Sequence, residues 1–234
     1  MTPKELLLYG AKEYGLEMTD LVADRFIWYF GLIEEKNEVM NLTAIRDPHQ
    51  AVRLHFLDAL AISANLNLSG RSVIDIGCGL GIPGMALKLY DDTISLTLLD
   101  SLGKRIDFLR EVCGLLGVTA ECVHARAEEY VKEKRESFDV AVSRAVAELN
   151  ILCELSLPYV KVGGIFCAMK ASGSDEEIET AAGGIKTLGG TLLDVLSYEI
   201  PDTDVTHRLV IIEKIHSTDR RYPRQFAKIR RKPL

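Results

Sequence analysis

The sequence predicts an α/β fold: a seven-stranded sheet, parallel except for its last strand, covered by helices on both faces and preceded by a helical cap. Three observations carry that reading. From Ser72 onward, short apolar strand-like runs alternate with amphipathic helical stretches, the pattern of a parallel sheet whose crossovers are helices. The segment Asp75-Ile-Gly77-Cys-Gly79-Leu-Gly81-Ile-Pro83-Gly84 reads as a strand end, a glycine turn and a helix start, the place where such sheets bind ligands. Lastly, the runs at 191–199 and 207–215 are joined only by Pro201-Asp-Thr-Asp-Val-Thr206. That is too short for a crossover helix, so the second run must lie antiparallel to the first.

Helical periodicity occupies residues 3–15, 20–36 and 48–65, and in the second of these Val22, Phe26, Tyr29 and Ile33 share one face. These three helices form the expected cap, residues 1–66. Strands follow at 72–77, 94–100, 120–124, 138–143 and 164–170 with helices between them. The helix at 104–116 carries Ile106, Leu109, Cys113 and Leu116 along its buried stripe. One more helix, 175–188, precedes the final strand pair. The core thus spans 67–215 and leaves 216–234 as a tail. At 234 residues, 47% hydrophobic and 26% charged, the chain is long enough to bury a full α/β core. No run approaches the ~18 apolar residues of a membrane span. Lys4, Glu5, Lys12, Glu13 and Glu17 interrupt any secretory apolar region, so a cytoplasmic protein is expected. Five cysteines, an odd number with no Cys-x-x-Cys pair, suggest neither a disulfide framework nor a metal site.

Glycine spacing alone does not identify the ligand, because Gly79-Leu-Gly81-Ile-Pro-Gly84 also satisfies the dinucleotide pattern. The acids separate the possibilities. A carboxylate at Asp75 would repel the pyrophosphate of a dinucleotide, but it favours the ammonium and sulfonium of S-adenosylmethionine. Asp100, which ends the run Ile94–Leu99, is placed to accept from ribose hydroxyls in either cofactor. A seven-stranded sheet with one reversed strand is the usual core of class I S-adenosylmethionine-dependent methyltransferases, a Rossmann-like fold. Dehydrogenases generally lack that ending.

Charge is divided unevenly. Arg220, Arg221, Arg224, Lys228, Arg230, Arg231 and Lys232 occur without an acid among the last fifteen residues, so the net −6 splits into +7 on the tail and −13 elsewhere. Tyr222 and Phe226 are interleaved with these cations, a mixture suited to phosphate contact and base stacking, with a solvated or core-docked tail as the alternative. Removing 220–234 is therefore expected to weaken RNA binding and leave cofactor affinity unchanged. The overall acidity argues against a protein that simply coats nucleic acid.

With these residues in hand, the chain resembles the glucose-inhibited division protein B family, the ribosomal RNA small-subunit methyltransferase G family, over nearly its whole length. The resemblance rests on Asn41-Leu-Thr43, His55-Phe-Leu-Asp58, the 75–84 segment with its Ile82-Pro-Gly84 ending, and Asp100-Ser-Leu-Gly-Lys-Arg105. It continues through Ala127-Glu128, Phe138-Asp139, Ser143-Arg-Ala145, Lys170, His207-Arg208, Tyr222-Pro-Arg224 and Lys232-Pro-Leu234. It implies methylation of N7 of a guanine in 16S ribosomal RNA, with that RNA or the small subunit as partner. It also implies cofactor contacts at Gly77, Ile82, Ala127, Glu128 and Arg144. The chain departs from many relatives at Gln225-Phe-Ala-Lys-Ile-Arg230, where they carry a glycine- and proline-rich segment.

Roles follow from that resemblance and from position. Asp75 and the backbone of Gly77, Gly79 and Gly81 are expected to hold the methionine end of the cofactor, Asp100 with Ser101 its ribose, and Ala127 with Glu128 its adenine edge. Arg144, at the end of strand 138–143, is expected to touch cofactor and guanine or phosphate, with a surface ion pair as the alternative, and His55 and Asp58 share one helical face, either substrate-facing or a buried hydrogen-bonded pair fixing the cap. Asn41 and Thr43 read as a helix cap or turn. Lys170 and Arg208 are candidate phosphate contacts, each with a structural ion pair as the alternative. No general base is expected, because N7 carries a free lone pair, and a monomer is the expected state. Two other functions fit parts of the pattern: an NAD-type oxidoreductase, and a non-catalytic ribosome-binding module with a vestigial cofactor turn.

Overall fold

Four helical segments, read from a computed structural model describing residues 1–234, open the chain. Helix α1 (Pro3–Glu13) starts at a reciprocal cap in which the Thr2 hydroxyl accepts from the Glu5 N–H and the Glu5 carboxylate accepts from the Thr2 N–H. Helix α2 (Asp20–Met40) is capped by Thr19 and stops at Asn41, whose φ of 49° lies in the left-handed region. The predicted helix 48–65 is one helical path with an irregular middle. It comprises α3 (Pro48–Ala51), a π-helical turn at Val52–Leu57, and α4 (Asp58–Asn65).

From Ser72 the alternation is as the sequence predicts. The elements are β1 (Ser72–Ile76), α5 (Gly84–Tyr90), β2 (Ser95–Asp100), α6 (Gly103–Leu116), β3 (Ala120–His124), α7 (Ala127–Lys134), β4 (Phe138–Arg144), α8 (Leu149–Ser156), β5 (Val160–Ala171), α9 (Asp175–Thr187), β6 (Gly190–Glu199) and β7 (Thr206–Lys214). Strand order is β3-β2-β1-β4-β5-β7-β6. Strands β1 to β5 pair in parallel, and β7 is antiparallel to both β5 and β6. Strand β5 begins earlier than position 164. It runs through Lys161-Val-Gly-Gly164 with a shift in register, Phe138 opposing Val160 and Val140 opposing Ile165.

Two apolar layers flank the sheet. On one face a cluster of 41 buried residues joins α1, α2 and α4 to α5 and α6, with Phe26, Phe56 and Leu60 in the same cluster as Val73, Leu98 and Leu109. The cap therefore shares its core with the sheet. On the other face 21 buried residues gather α7, α8 and α9 around Tyr159 and Phe166. Beyond β7 the tail ends in a short helix, α10 (Phe226–Arg231), that the periodicity does not predict. No helix is long and apolar enough to cross a membrane.

Candidate cofactor cleft

The parallel register sets Asp75 beside Leu98 and Val142, so the ends of β1, β2 and β4 open at one edge of the sheet. Beyond β1 the chain turns sharply: Gly77, Gly79 and Gly81 have φ of 72°, 58° and 92°, values that only glycine adopts at little cost. Tight packing adds a second constraint. A Cβ on Gly77 would lie 2.6 Å from Val146 Cγ2, and one on Gly81 would lie 2.5 Å from the Tyr29 hydroxyl. Tyr29, fully buried on α2, donates to the Leu80 carbonyl and braces the turn from the cap side.

Asp75 sits beneath this turn rather than in the wall of the cleft. It is fully buried, and Oδ2 accepts from the Gly84 N–H at 2.8 Å. Gly84 is required there, because its Cβ would lie 2.9 Å from that same oxygen. Burial lifts the Asp75 pKa to about 7 against the Gly84 hydrogen bond and the nearby Arg144 charge, which lower it. Oδ1 has no hydrogen-bond partner.

The cleft itself has a volume of about 260 Å³ and is walled by Ile76, Gly77, Leu99, Asp100, Ser101, Leu102, Arg105, Ala127, Glu128, Val146 and Phe226, among others. It thus brings together Gly77, Asp100, Ser101, Ala127 and Glu128, as the sequence reading expects. Asp100 is held firmly. Oδ2 accepts from the Gly79 N–H at 2.9 Å and from Arg105 Nη1 at 3.3 Å, and Oδ1 accepts from the Leu102 N–H at 2.8 Å. Gly79 faces open space, its nearest potential Cβ neighbour being a backbone oxygen 3.9 Å away. Ile82 is buried with the large core cluster, which leaves any ligand contact to its main chain. The sequence reading does not single out Arg105, Leu102, Val146 or Phe226 as cofactor residues. Arg105 carries a signal, being four residues beyond Ser101 at the first turn of α6, whereas Phe226 carries none.

These residues fit an adenosine-bearing cofactor with positive charge. A buried carboxylate keeps one oxygen unpaired below the turn, a glycine opens onto free space, and a second carboxylate stands at the end of β2.

Arg144 turns toward the cap. Its Nη1 donates to the Leu54 carbonyl at 2.7 Å and to Asp58 Oδ2 at 3.1 Å, and Nη2 lies 3.3 Å from His55 Nδ1. Leu54 lies in the π-helical turn, which places its carbonyl against the guanidinium. His55 and Asp58 are both buried, and each bonds Arg144 rather than the other. Because the guanidinium can only donate, His55 Nδ1 accepts and its Nε2 donates to Thr43 Oγ1, 3.1 Å away. Burial, followed by the Arg144 charge, pushes the His55 pKa down to about 4. Burial alone would raise Asp58, but hydrogen bonds from His207 (2.8 Å) and Tyr198 (2.6 Å) together with the Arg144 charge hold it below its usual value. The His207 pKa is raised in turn, chiefly by Asp58. Asn37 completes the arrangement, bonding both the N–H and the carbonyl of Thr43.

The expected phosphate contacts divide into two groups. Lys170 and Arg208 lie opposite each other in the β5–β7 register, and both turn to α9. Lys170 Nζ is 2.5 Å from Glu177 Oε1, and Arg208 Nη1 is 2.7 Å from Asp175 Oδ1, so both are structural ion pairs. Arg224 is another: its side chain makes two hydrogen bonds of 2.8 and 2.6 Å to Glu154, a fully buried glutamate that also accepts from the Arg224 N–H. Tyr222 is half-buried and packs against the 21-residue cluster, with the Arg221 guanidinium 5.2 Å from its ring centre. Arg220, Lys228, Arg230, Arg231 and Lys232 remain exposed. Nor is the tail separate from the cleft, as the expected independence of cofactor affinity requires, because Phe226 is part of the cleft wall.

Comparison with known proteins agrees with this geometry. Solved structures of similar shape include that of M. jannaschii TYW2 in complex with AdoMet, 16% identical with a TM-score of 0.52 over 68% of this chain and 75% of that one. Another is a predicted O-methyltransferase from Agrobacterium tumefaciens, 20% identical with a TM-score of 0.54 over 68% and 79%. At those identities the likeness establishes the class I methyltransferase fold. Curated relatives are much closer. A protein named ribosomal RNA small subunit methyltransferase G from Clostridium botulinum (strain Loch Maree / Type A3) is 43% identical over 98% of both chains. One of the same name from Clostridium perfringens (strain 13 / Type A) is 40% identical over 98% of both. The family model for rRNA small subunit methyltransferase G matches residues 23–206, and the chain belongs to that family.

Proposed function

We propose that this chain methylates N7 of a guanine in 16S ribosomal RNA with S-adenosylmethionine as donor. Family membership supports the coarser activity, S-adenosylmethionine-dependent methylation of small-subunit ribosomal RNA. The finer reading is supported by the family resemblance, and the cleft, with Asp100 and Glu128 in its wall, suits the cationic cofactor that reading requires. Guanine N7 has an in-plane lone pair that is free at neutral pH, so a chain acting there has no proton to remove. A hydroxyl or exocyclic amine would need one removed.

Asp100 and Ser101 hold the ribose, Ala127 and Glu128 border the adenine, and the backbone of Gly77 and Gly79 receives the methionine end above Asp75. Bound there, S-adenosylmethionine supplies a methyl group activated by its sulfonium. The protein contributes position, worth effective molarities of roughly 10⁵ M or more when the approach is in line. It also contributes fixed dipoles around the shifting charge. N7 lies on the Hoogsteen edge, which faces a groove too deep for side chains in A-form RNA. The target guanine is therefore unpaired or turned out of its helix.

Arg144 positions rather than reacts. It ties the end of β4 to the cap through Asp58, and so fixes the loop carrying Val146 against Gly77.

The test is incubation with tritiated S-adenosylmethionine and small ribosomal subunits, or their 16S RNA, from a strain lacking the activity, followed by nucleoside analysis. Label in 7-methylguanosine is the expected result. Label in another nucleoside contradicts the N7 assignment, and no label contradicts the activity.

A further inference from the structure

We propose that Phe226 of the basic tail forms the adenine-side wall of the cofactor cleft, so that docking of the tail and binding of the cofactor stabilise each other. The inference rests on the reading of the cleft as an S-adenosylmethionine site.

Phe226 is the single aromatic residue among those that wall the cleft, where it stands with Ala127, Glu128 and Leu155. An adenine ring bound beside Ala127 and Glu128 presents a flat π face, and an aromatic side chain is the surface that matches it best. The aliphatic neighbours supply contact without that match. The ring is half-buried and packs with Ala127 and Ala147 against a small apolar cluster of Ile151, Leu155 and Ile229, so one part is anchored and the rest is free for a ligand.

Its position is set by two attachments on either side. Ile229, three residues along α10, is fully buried against Ile151 and Leu155 of α8. Arg224, two residues before, makes three hydrogen bonds to buried Glu154 of the same helix. The ring is therefore delivered to the cleft only while the tail is docked.

Lys228, Arg230 and Arg231 are exposed on the same short helix. A ligand that packs on Phe226 favours the docked tail, and by linkage a docked tail favours the ligand to the same degree. The cations that meet RNA and the ring that meets adenine thus belong to one rigid element. Cofactor occupancy then decides how those cations are presented.

Calorimetric titration with S-adenosylhomocysteine, run on the full chain and its variants, tests this. The expected result is about tenfold weaker binding by Phe226→Ala, a smaller loss for Phe226→Leu, and no change for Arg230→Ala. In limited trypsin digestion the ligand should slow cleavage within 220–232 of the unsubstituted chain severalfold, and should have no such effect on Phe226→Ala. Equal affinity in Phe226→Ala and the unsubstituted chain overturns the proposal, as does tail cleavage indifferent to the ligand. Failure of the unsubstituted chain to bind S-adenosylhomocysteine instead removes the cofactor reading beneath it.

Discussion

Asp75 concentrates the energetics of the site in one carboxyl group. Its folded-state pKa, about 7, lies above the ordinary 3.8, so the group favours the folded chain fully below about pH 4 and that contribution is lost as pH rises toward 7. A cationic ligand arriving above it selects the ionised form, so affinity for S-adenosylmethionine should rise on going from pH 6 to pH 8. Asp75→Asn keeps an acceptor for the Gly84 N–H and removes the buried charge. It should raise unfolding stability more at pH 8 than at pH 5, by a difference of about 2.5 kcal/mol, while weakening S-adenosylmethionine binding more than tenfold. Urea unfolding at the two pH values and calorimetry check both arms. A variant whose gain at pH 8 is no larger than at pH 5, or that binds as before, contradicts this account of Asp75. The sequence showed that an acid stood before the glycines and what charge it would suit. It could not show that Gly84, nine residues on, would occupy one of its oxygens, because that contact depends on how α5 settles over β1.

At the scale of elements, the connection between cap and sheet is the part least visible beforehand. His55 and Asp58 were legible as neighbours on a helix face, but the π-helical turn that surrounds His55 breaks the regular period from which that face is inferred. Arg144 donates to the Leu54 carbonyl in that turn and neutralises Asp58, which is 2% exposed. Replacing Arg144 by Ala removes a partner of a buried carboxylate and should lower stability by about 3 kcal/mol, along with methyl transfer. The measurement is the urea midpoint of Arg144→Ala against the unsubstituted chain. An unchanged midpoint would mean the cap is held by apolar packing alone. Helix α10 escaped the sequence reading for a different reason. Only Phe226 and Ile229 are large apolar residues in a strongly cationic stretch, too few for periodicity to separate a docked helix from a solvated tail. Strand direction, by contrast, followed from the alternation of elements and from the short link before β7.

Across the whole molecule, the charge that matters is what remains after pairing. Lys170, Arg208 and Arg224 have carboxylate partners within 2.7 Å, so the cationic surface is smaller than the sequence suggests. It narrows to Arg220, Lys228, Arg230, Arg231 and Lys232, beside the cleft that Phe226 helps to wall. Replacing those five by Gln should weaken RNA binding. It should also reduce the slope of log affinity against log salt by about 0.7 for each phosphate of single-stranded RNA that the tail no longer neutralises. Arg208→Ala should leave the slope as it was. Filter binding across a salt series reads both, and a slope that falls with Arg208→Ala but not with the tail variant would move the RNA surface to the sheet.

The reading of the cleft turns on the identity of the small molecule that the glycine turn receives. Calorimetric titration of the full chain with S-adenosylmethionine, and separately with NADH, addresses this directly. The expected outcome is saturable one-to-one binding of S-adenosylmethionine and no binding of NADH. A chain that takes up NADH, or that leaves S-adenosylmethionine unbound, contradicts the account.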